Sequence, residues 1–330
     1  MQEIVYPLLD WYKKNARSLP WRENVTPYTV WVSEIMLQQT RIEAARGYYT
    51  RFIRAFPTVE ALAGADIDEV LKLWEGLGYY SRARHMHECA GKICAQYGGV
   101  FPDSAAELRS LPGIGDYTAG AVASLAYGKP EPAVDGNVLR VYARLNCCED
   151  NVGDAGVKKR VREELRVLYP AGECAAFTSA WMELGEVVCT PASPRCGECP
   201  LASLCKAHEA HRETDYPRLP PKKPRRIEER NVLLLLCGDR CAVRKRPDKG
   251  LLAGLWELPN GVDEPVPAGA EPCGEAVHIF SHVEWHMRGY LLRTGEELSG
   301  YTWVDREERL RRAIPGAFRY YLNILERLGY

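Results

Sequence analysis

The 330-residue chain is 46% hydrophobic and 26% charged, and its formal net charge is −1. These proportions are those of a folded soluble protein, and the length predicts two or three compact domains. The balanced charge excludes attraction of a polyanion by the overall field, so a nucleic-acid partner would require a local basic surface.

The opening stretch MQEIVYPLLDWYKKNARSLPW mixes charges with apolar residues at helical spacing and has no apolar core of signal-peptide length. No later stretch is long enough to span a membrane, so we expect a cytoplasmic protein without a membrane partner. In a reducing compartment the 12 cysteines are expected to bind metal or to lie buried as thiols, and not to form a disulfide framework.

Three segments follow one another along the chain. Residues 1–212 repeat apolar positions at spacings of three and four, which predicts an all-α domain, built as one unit or as two interleaved lobes. Residues 213–228 are rich in proline and positive charge and predict a linker. Residues 229–330 predict an α+β domain, because NVLLLLC and RCAVRKRP flank a tight Gly238-Asp239 turn, residues 277–287 alternate apolar and polar side chains, and AFRYYLNILERL returns to helical spacing.

Glu34 lies in TPYTVWVSEIMLQQT, a predicted helix in which Val30, Trp31 and Leu37 share its face. A carboxyl group among large apolar side chains resists ionisation, which is the condition for a general acid near neutral pH. The alternative is a partly exposed glutamate in an ion pair.

The stretch LPGIGDYTAG, residues 111–120, lies between two predicted helices, SAAELRSL and DYTAGAVASLAY. Asp116 is the predicted N-cap of the second helix. Gly113 and Gly115 can turn the backbone so that amide N–H groups point outward and bind a phosphate-sized anion. A plain helix–helix turn is the alternative.

Asp135 begins a predicted helix directly after the extended Pro-Ala-Val of PAVDGNVLRVYARL. A helix N-terminus favours an anion, so we predict that Asp135 stays charged while Glu34 keeps its proton, with pKa shifts in opposite directions. Two such carboxyl groups suit cleavage of a glycosidic bond through an oxocarbenium-like transition state. A simple N-cap is the alternative.

Four cysteines, Cys189, Cys196, Cys199 and Cys205, form a C-x6-C-x2-C-x5-C pattern on a loop with several prolines. Thiolates this close in sequence can converge on one metal centre. A structural zinc site usually contains two close cysteine pairs, and only one is present here. Zinc, an iron–sulfur cluster and unliganded thiols are therefore the three alternatives.

Several motifs in order resemble the helix-hairpin-helix DNA glycosylases, and most closely the MutY-type adenine glycosylases. They are LPWR at 19–22, SEIMLQQT at 33–40, LWEGLGYYSRAR at 73–84, LPGIGDYTAGA at 111–121, VDGNVLRV at 134–141, and the cysteine quartet. The resemblance implies a two-lobed all-α catalytic domain over 1–212, with the helix-hairpin-helix at about 104–127 and one [4Fe-4S] cluster bound by the four cysteines of the 189–205 loop.

The resemblance further implies hydrolysis of adenine from a mispair with 8-oxoguanine, or with guanine, in double-stranded DNA. Glu34 would protonate adenine, Asp135 would stabilise or trap the sugar cation, and Tyr117 would support that intermediate. The other implied site residues are Arg17, Trp21, Arg22 and Leu37 for the adenine pocket, and Gln38, Gln39, Thr40, Leu77, Tyr79, Gly113, Gly115 and Asn137 for DNA. Ser179 departs from the family pattern, since many relatives carry Gln or Glu there.

Position 117 separates sub-families, because endonuclease III-like bifunctional relatives carry a lysine there that attacks the sugar. Tyrosine cannot form a Schiff base, so we predict base removal that leaves an abasic site in an intact strand. The rival hypotheses are a bifunctional glycosylase and lyase for oxidised pyrimidines, and a non-catalytic iron–sulfur sensor that binds DNA. We expect a monomer that acts on chromosomal DNA in the cytoplasm, in the nucleoid of a prokaryote.

Within 229–330, RPDKGLLAGLWELPNG and HIFSHVEWHM resemble the Nudix-like C-terminal domain of the same family. The resemblance implies that the Phe280-Ser281-His282 loop recognises 8-oxoguanine. A Nudix hydrolase would require an acidic helix of the form G-x5-E-x7-R-E-x2-E-E after the LPNG turn. The segment VDEPVPAGAEPCGEA lacks that pattern, so we expect no metal-dependent nucleotide hydrolysis.

Overall fold

A computed structural model describes residues 1–221 and 224–330. The chain divides into two compact units. The helical unit contains residues 1–63 and 88–221, and the sheet unit contains residues 64–87 together with the described residues from 224 onward. This division differs from the predicted boundaries in that residues 64–87 belong with the C-terminal part of the chain.

The α-helices of residues 1–221 are α1 (Val5–Asn15), α2 (Pro27–Leu37), α3 (Ile42–Ala55), α4 (Val59–Ala63), α5 (Ile67–Leu73), α6 (Ser81–Tyr97), α7 (Ala105–Arg109), α8 (Asp116–Ala121), α9 (Gly136–Asn146), α10 (Ala155–Arg166), α11 (Cys174–Val187) and α12 (Lys206–Glu209). A π-helical turn, Val122–Ala126, continues α8. The prediction of an all-α N-terminal domain is confirmed.

Helix α2 is nearly surrounded by protein. Thr26 caps its N-terminus in a capping box with Thr29, and Pro27 takes the first helical position, where no backbone N–H is needed. Every residue from Tyr28 to Met36 is buried. A helix that is apolar on all sides and lies in the core fixes the position of the one carboxyl group it carries, that of Glu34.

Helices α1, α9 and α11 share one hydrophobic core, which includes Leu8, Tyr142, Phe177, Trp181 and Leu184. Tyr216 also lies in this core and is 1% exposed. The first part of the predicted linker is therefore packed against the helical unit. Strand β1 begins at Arg226, and the linker residues 222 and 223 lie outside the described residues.

The sheet unit contains strands β1 (Arg226–Cys237), β2 (Arg240–Lys245), β3 (Trp256–Glu257), β4 (Asn260–Gly261), β5 (Glu271–Ile279), β6 (Val283–Arg293) and β7 (Thr302–Val304), and helices α13 (Arg306–Arg311) and α14 (Arg319–Arg327). The strand order is β3-β2-β1-β6-β5, and β1 pairs with β6 in parallel while the other pairs are antiparallel. The predicted α+β class is confirmed.

Strand β1 is buried on both faces of the sheet from Val232 to Leu236. Val232, Leu234 and Leu236 belong to a core that also contains Phe318 and Tyr321. Leu233 and Leu235 belong to a second core with Trp303. This double burial explains why NVLLLLC reads as a continuous apolar run.

The β1–β2 hairpin has the predicted turn, since Cys237 pairs with Arg240. The β5–β6 pair differs from the alternation that the sequence suggests. Val277 and Ile279 are 61% and 55% exposed, and their register partners are His286 and Glu284. Side chains opposite each other in register lie on the same face, so the two apolar residues of β5 share the outer face with polar partners.

In the described part of the chain, no helix is both long and apolar enough to cross a membrane.

Candidate active site

A cleft of about 1410 Å³ opens in the helical unit. It brings together the predicted acid Glu34, the predicted carboxylate Asp135, and Tyr117. The other predicted site residues on its wall are Arg17, Trp21, Arg22, Leu37, Gln38, Gln39, Thr40 and Asn137. Leu77, Tyr79 and Phe280 to His282 are residues of the sheet unit. Gly113 and Gly115 lie outside the wall of the cleft, in the turn before α8.

Glu34 has the environment that the sequence predicts. Its side chain belongs to the buried helix α2 and is only 6% exposed, and the hydroxyl of Tyr117 donates a hydrogen bond to its carboxyl group. Burial raises the pKa of Glu34 to about 7, although the bond from Tyr117 lowers it. Burial also raises the pKa of Tyr117 well above its usual value, so this hydroxyl keeps its proton. The site therefore holds a carboxylic acid that is half protonated near neutral pH.

Asp135 is the N-cap of α9, as predicted. Its carboxylate accepts hydrogen bonds from the backbone N–H of Val138 at 2.7 Å and from Asn137 Nδ2 at 2.9 Å. Burial raises the pKa of Asp135 even though these bonds lower it, so the predicted opposite shifts of the two carboxyl groups are wrong. The two groups differ in the number of donors, because Asp135 accepts from two N–H groups whereas the hydrogen bond described for Glu34 comes from one hydroxyl.

Glu183 is a buried carboxylate that the sequence analysis missed. It accepts hydrogen bonds from Arg17 Nε at 2.5 Å and from Arg22 Nη2 at 2.8 Å, and its side chain is 1% exposed. Burial alone would raise the pKa of Glu183, and the two arginines outweigh burial and lower it. Both guanidinium groups of the predicted adenine pocket are therefore held at fixed positions. Ser179 also lines the cleft.

Two arginines of α9 bind the start of the cysteine loop. Arg144 is 2% exposed and donates to Thr190 O at 2.7 Å, to Pro191 O at 2.8 Å and to Cys189 Sγ at 3.3 Å. Arg140 donates to Cys189 O at 2.7 Å and to Asn137 Oδ1 at 2.7 Å. Because Asn137 donates to Asp135, a chain of hydrogen bonds joins Cys189 to the candidate catalytic carboxylate.

The four cysteine thiols lie near one another. Burial, together with Glu213 and the neighbouring thiols, raises the pKa of Cys196 to about 11, and burial together with the neighbouring thiols raises that of Cys199 to about 12. Burial also raises the pKa of Cys205. Among the described residues, no three of these sulfur atoms lie within 4.8 Å of one another. Four thiols gathered on one loop offer the ligand set of a metal centre.

A second group of possible ligands adjoins the quartet. Cys196, His208 and Glu213 offer one donor atom each within 4.8 Å of one another, and His208 Nδ1 lies 2.6 Å from a Glu213 carboxylate oxygen. Sequence spacing gives no signal for this group, because its members come from the cysteine loop, α12 and the turn that follows. His208 and Glu213 are therefore neighbours of a quartet ligand.

The turn before α8 agrees only in part with its prediction. Gly113 has a φ of 72°, which favours glycine, whereas Gly115 is extended and is itself the N-cap. The prediction that Asp116 caps α8 is wrong. Its carboxylate instead pairs with Arg162 at 2.6 Å and with Arg109 at 3.5 Å.

Two predicted DNA-contact residues share an unusual backbone conformation. Gln39 follows α2 with a φ of 58°, and Tyr79 lies between α5 and α6 with a φ of 48°. Residues other than glycine seldom adopt positive φ, and such residues cluster at functional sites. Both side chains are exposed, and Tyr79 is 45% exposed. In the β5–β6 loop, Ser281 and His282 are exposed, while Phe280 packs edge-to-face against Trp285 with ring centroids 4.8 Å apart.

Comparison with known proteins identifies the class. Residues 32–170 match the model of the HhH-GPD superfamily base excision DNA repair proteins, and residues 231–323 match a NUDIX domain model. A thermostable thymine-DNA glycosylase is 28% identical with a TM-score of 0.59, over 63% of this chain and 97% of that one. Endonuclease III in a non-covalent complex with DNA is 26% identical with a TM-score of 0.54, over 64% of this chain and 97% of that one. Fold and sequence together define a base-excision DNA glycosylase with an added Nudix-like domain.

The relatives with curated functions narrow this class. The adenine DNA glycosylase of Rattus norvegicus is 33% identical over 97% of this chain and 77% of its own length. That of Homo sapiens is 32% identical over 97% and 73%, and that of Arabidopsis thaliana is 36% identical over 86% and 56%. The chain belongs to the adenine DNA glycosylase family.

Proposed function

We propose that this enzyme hydrolyses the N-glycosidic bond of adenine paired with 8-oxoguanine, or with guanine, in duplex DNA and leaves the strand uncut. The observation that carries the proposal is the pairing of a buried Glu34, whose pKa is about 7, with Asp135 on the wall of one cleft. One group can donate a proton near neutral pH, and the other can hold negative charge beside a sugar cation.

In the proposed reaction the adenine leaves the base stack and enters the cleft, which costs about a few kcal/mol and less at a mispair. Arg17 and Arg22, held by Glu183, supply donors at the polar side of the pocket, and the 7%-exposed Trp21 supplies an apolar wall. Glu34 gives its proton to a ring nitrogen of adenine, so the base departs as a neutral molecule with the electron pair of the glycosidic bond.

Departure of the base leaves an oxocarbenium cation on the sugar. The Asp135 anion, stabilised by the N–H groups of Val138 and Asn137, lowers the energy of that cation. Water then adds to the sugar and loses a proton, which gives the abasic site. A positioned acid alone supplies roughly 10²- to 10⁴-fold, so electrostatic stabilisation by Asp135 carries much of the remaining acceleration.

Tyr117 supports the proposal of a monofunctional enzyme. Its hydroxyl donates a hydrogen bond to Glu34, and its pKa lies well above the usual value. Tyr117 therefore offers neither an amine nor an ionised oxygen as a nucleophile. A lyase needs an amine that forms a Schiff base with the opened sugar. We therefore expect the DNA strand to remain intact after adenine is released.

The cysteine quartet suits one [4Fe-4S] cluster, which Cys189, Cys196, Cys199 and Cys205 would hold. Such a cluster with four thiolates supplies negative charge and cross-links the loop. The buried cation Arg144, whose described partners are backbone carbonyls and a cysteine sulfur, fits an anionic group at this place. We propose a structural role that fixes the loop against α9.

Double-stranded DNA is the proposed partner of both units. In the helical unit, the glycine turn at 113–115 would bind backbone phosphate, with Gln38, Thr40 and Asn137 near the flipped nucleotide. In the sheet unit, the exposed residue Ser281, on a loop held by the edge-to-face contact of Phe280 with Trp285, would bind 8-oxoguanine through its hydroxyl.

Single-turnover adenine release from duplexes that differ only in the base opposite adenine tests the proposal. We expect release to be fastest opposite 8-oxoguanine, slower opposite guanine and slowest opposite thymine. Equal rates on all partners would remove the proposed role of Ser281. Strand breaks that form without alkali would instead favour the bifunctional lyase.

Replacement of the acid provides the matched test of catalysis. Glu34→Gln keeps the shape of the side chain and removes its acidity, so we expect base release to fall by roughly 10²-fold or more. Glu43→Gln is the control, because Glu43 is an exposed residue of α3 whose side chain is 80% exposed. Full activity of Glu34→Gln, or no adenine release by the wild type, would favour a non-catalytic DNA sensor.

A further inference from the structure

Residues 64–87 belong to the sheet unit, and Asp68 of α5 is their first anchor. Lys245 Nζ lies 3.0 and 3.1 Å from the two carboxylate oxygens of Asp68, and Trp256 Nε1 donates to the same carboxylate at 3.3 Å. The side chain of Asp68 is 33% exposed, so this is a partly buried ion pair with an added neutral donor. It fixes the start of α5 to strands β2 and β3.

Glu75, two residues after the end of α5, is the second anchor. It accepts the backbone N–H of Ile314 at 2.9 Å, while Lys72 Nζ contacts Arg312 O at 3.1 Å and Glu75 at 2.5 Å. A third contact lies at the start of α6, where Arg84 donates to Ala253 O at 3.2 Å. Contacts at both ends of residues 68–84 restrain the turn between them.

That turn presents Tyr79. Gly76 and Gly78 have φ values of 100° and 73°, and Tyr79 itself has a positive φ. Two hydrogen bonds hold the turn, because the fully buried Trp74 and the side chain of Arg82 each donate to Gly78 O at 3.1 Å. An exposed aromatic ring on a strained and well-supported turn suits insertion between, or stacking on, nucleic-acid bases.

The Phe280–His282 loop, proposed above to read the base opposite adenine, lies in the same unit as Tyr79. We propose that Asp68 and Glu75 are positioning residues that hold the Tyr79 turn at a fixed position relative to this loop. When the loop binds 8-oxoguanine, this fixed arrangement places the Tyr79 ring in the base stack. The inference rests on the proposed function, and it assigns opposite-base discrimination to two residues that read neither base.

The test is the double variant D68N/E75Q, which removes both charges and keeps side-chain size. Adenine release is measured in single turnovers opposite 8-oxoguanine and opposite guanine. We expect the rate opposite 8-oxoguanine to fall by about tenfold, equivalent to ~1.4 kcal/mol, with little change opposite guanine. The rate ratio should therefore approach one. Glu69→Gln is the matched control, because Glu69 is an exposed acid of the same helix, and Asp68→Glu should retain most of the ratio.

Two further measurements separate coupling from loss of structure. In an S281A background, D68N/E75Q should lower the ratio little further, since both changes act on one recognition step. Lys245→Met removes only one partner of the first anchor and provides the same readout if the double variant does not fold. An unchanged ratio, or equal loss opposite both bases, would overturn the inference. A wild-type ratio of one would instead overturn the proposed function itself.

Discussion

Tyr117 connects two properties of the site that the sequence treats separately. The sequence indicates only that a tyrosine replaces the lysine of bifunctional relatives. In the structure, its hydroxyl also donates a hydrogen bond to Glu34. That bond lowers the pKa of Glu34, while burial raises it to about 7. Tyr117 therefore sets the pH range in which the candidate acid carries its proton.

We predict that Tyr117→Phe moves the basic limb of the pH–rate profile to higher pH. The wild-type limb should be centred at about 7, because activity is lost as Glu34 deprotonates. Removal of a bond that lowers the pKa of Glu34 raises this pKa, so the protonated form persists to higher pH. Single-turnover adenine release measured from about pH 5.5 to 9 checks the direction. A limb that stays in place or moves down would contradict it.

Residue-level prediction succeeded where the cause is local and failed where it is tertiary. The apolar neighbours of Glu34 lie on its own helix, so its raised pKa could be predicted. The net burial of Asp135 depends on elements packed around the cleft, and local sequence gives only its N-cap. Glu183 was missed because its partners Arg17 and Arg22 lie 166 and 161 residues away.

Among elements, α9 and α11 approach each other closely near the site. A Cβ atom on Gly185 of α11 would lie 2.6 Å from Asn137 Cβ and 3.1 Å from Asn137 Cα. Those distances are too short for any side chain, so glycine is required at position 185 for α11 to pack this closely against Asn137. Helix α11 thereby packs directly against Asn137, the residue that donates to Asp135.

We predict that Gly185→Ala destabilises the protein by about 1–3 kcal/mol, the usual cost of overpacking. It should also slow adenine release, since Asn137 and with it Asp135 must shift. Gly156→Ala in α10 is the control, because nothing lies within 4 Å of its added Cβ. Thermal unfolding and single-turnover rates measure the two effects. Wild-type activity of Gly185→Ala would show that the helices separate without moving Asp135.

The boundaries of the elements could be predicted from local sequence patterns, but the pairing of distant β-strands could not. The β1–β2 hairpin is predicted by its Gly238-Asp239 turn. The parallel pairing of β1 with β6 joins Arg226 to Val283, and no periodicity specifies a partner so distant in sequence. The same limit explains why the apolar residues of β5 could not be placed on the outer face.

At the scale of the whole molecule, the cysteine loop closes the helical unit. Arg144 reaches the loop carbonyls, and its Nε donates to Glu213 O at 2.7 Å and to Tyr216 O at 3.1 Å, at the end of that unit. One buried side chain thus joins α9, the proposed cluster site and the last packed residues before the sheet unit.

We predict that Arg144→Met lowers iron content and destabilises the helical unit by about 3 kcal/mol, because buried carbonyls lose a charged donor. Arg160→Met is the control, since Arg160 makes an exposed pair with Asp150 at 2.6 Å and such pairs are worth about 0–1 kcal/mol. Iron analysis and visible absorbance report the cluster. Normal iron content in Arg144→Met would contradict the proposed charge balance.

The placement of residues 64–87 has a consequence for chimeric enzymes. A relative's C-terminal domain substituted for residues 224–330 would replace Lys245 and Trp256, whose side chains bind Asp68 here, and the segment whose Ile314 N–H binds Glu75. Such a hybrid would carry two recognition elements from different parents in one body. An exchange that transfers 64–87 together with 224–330 keeps those contacts intact, so the transferable module of this enzyme is made of two separate stretches of chain.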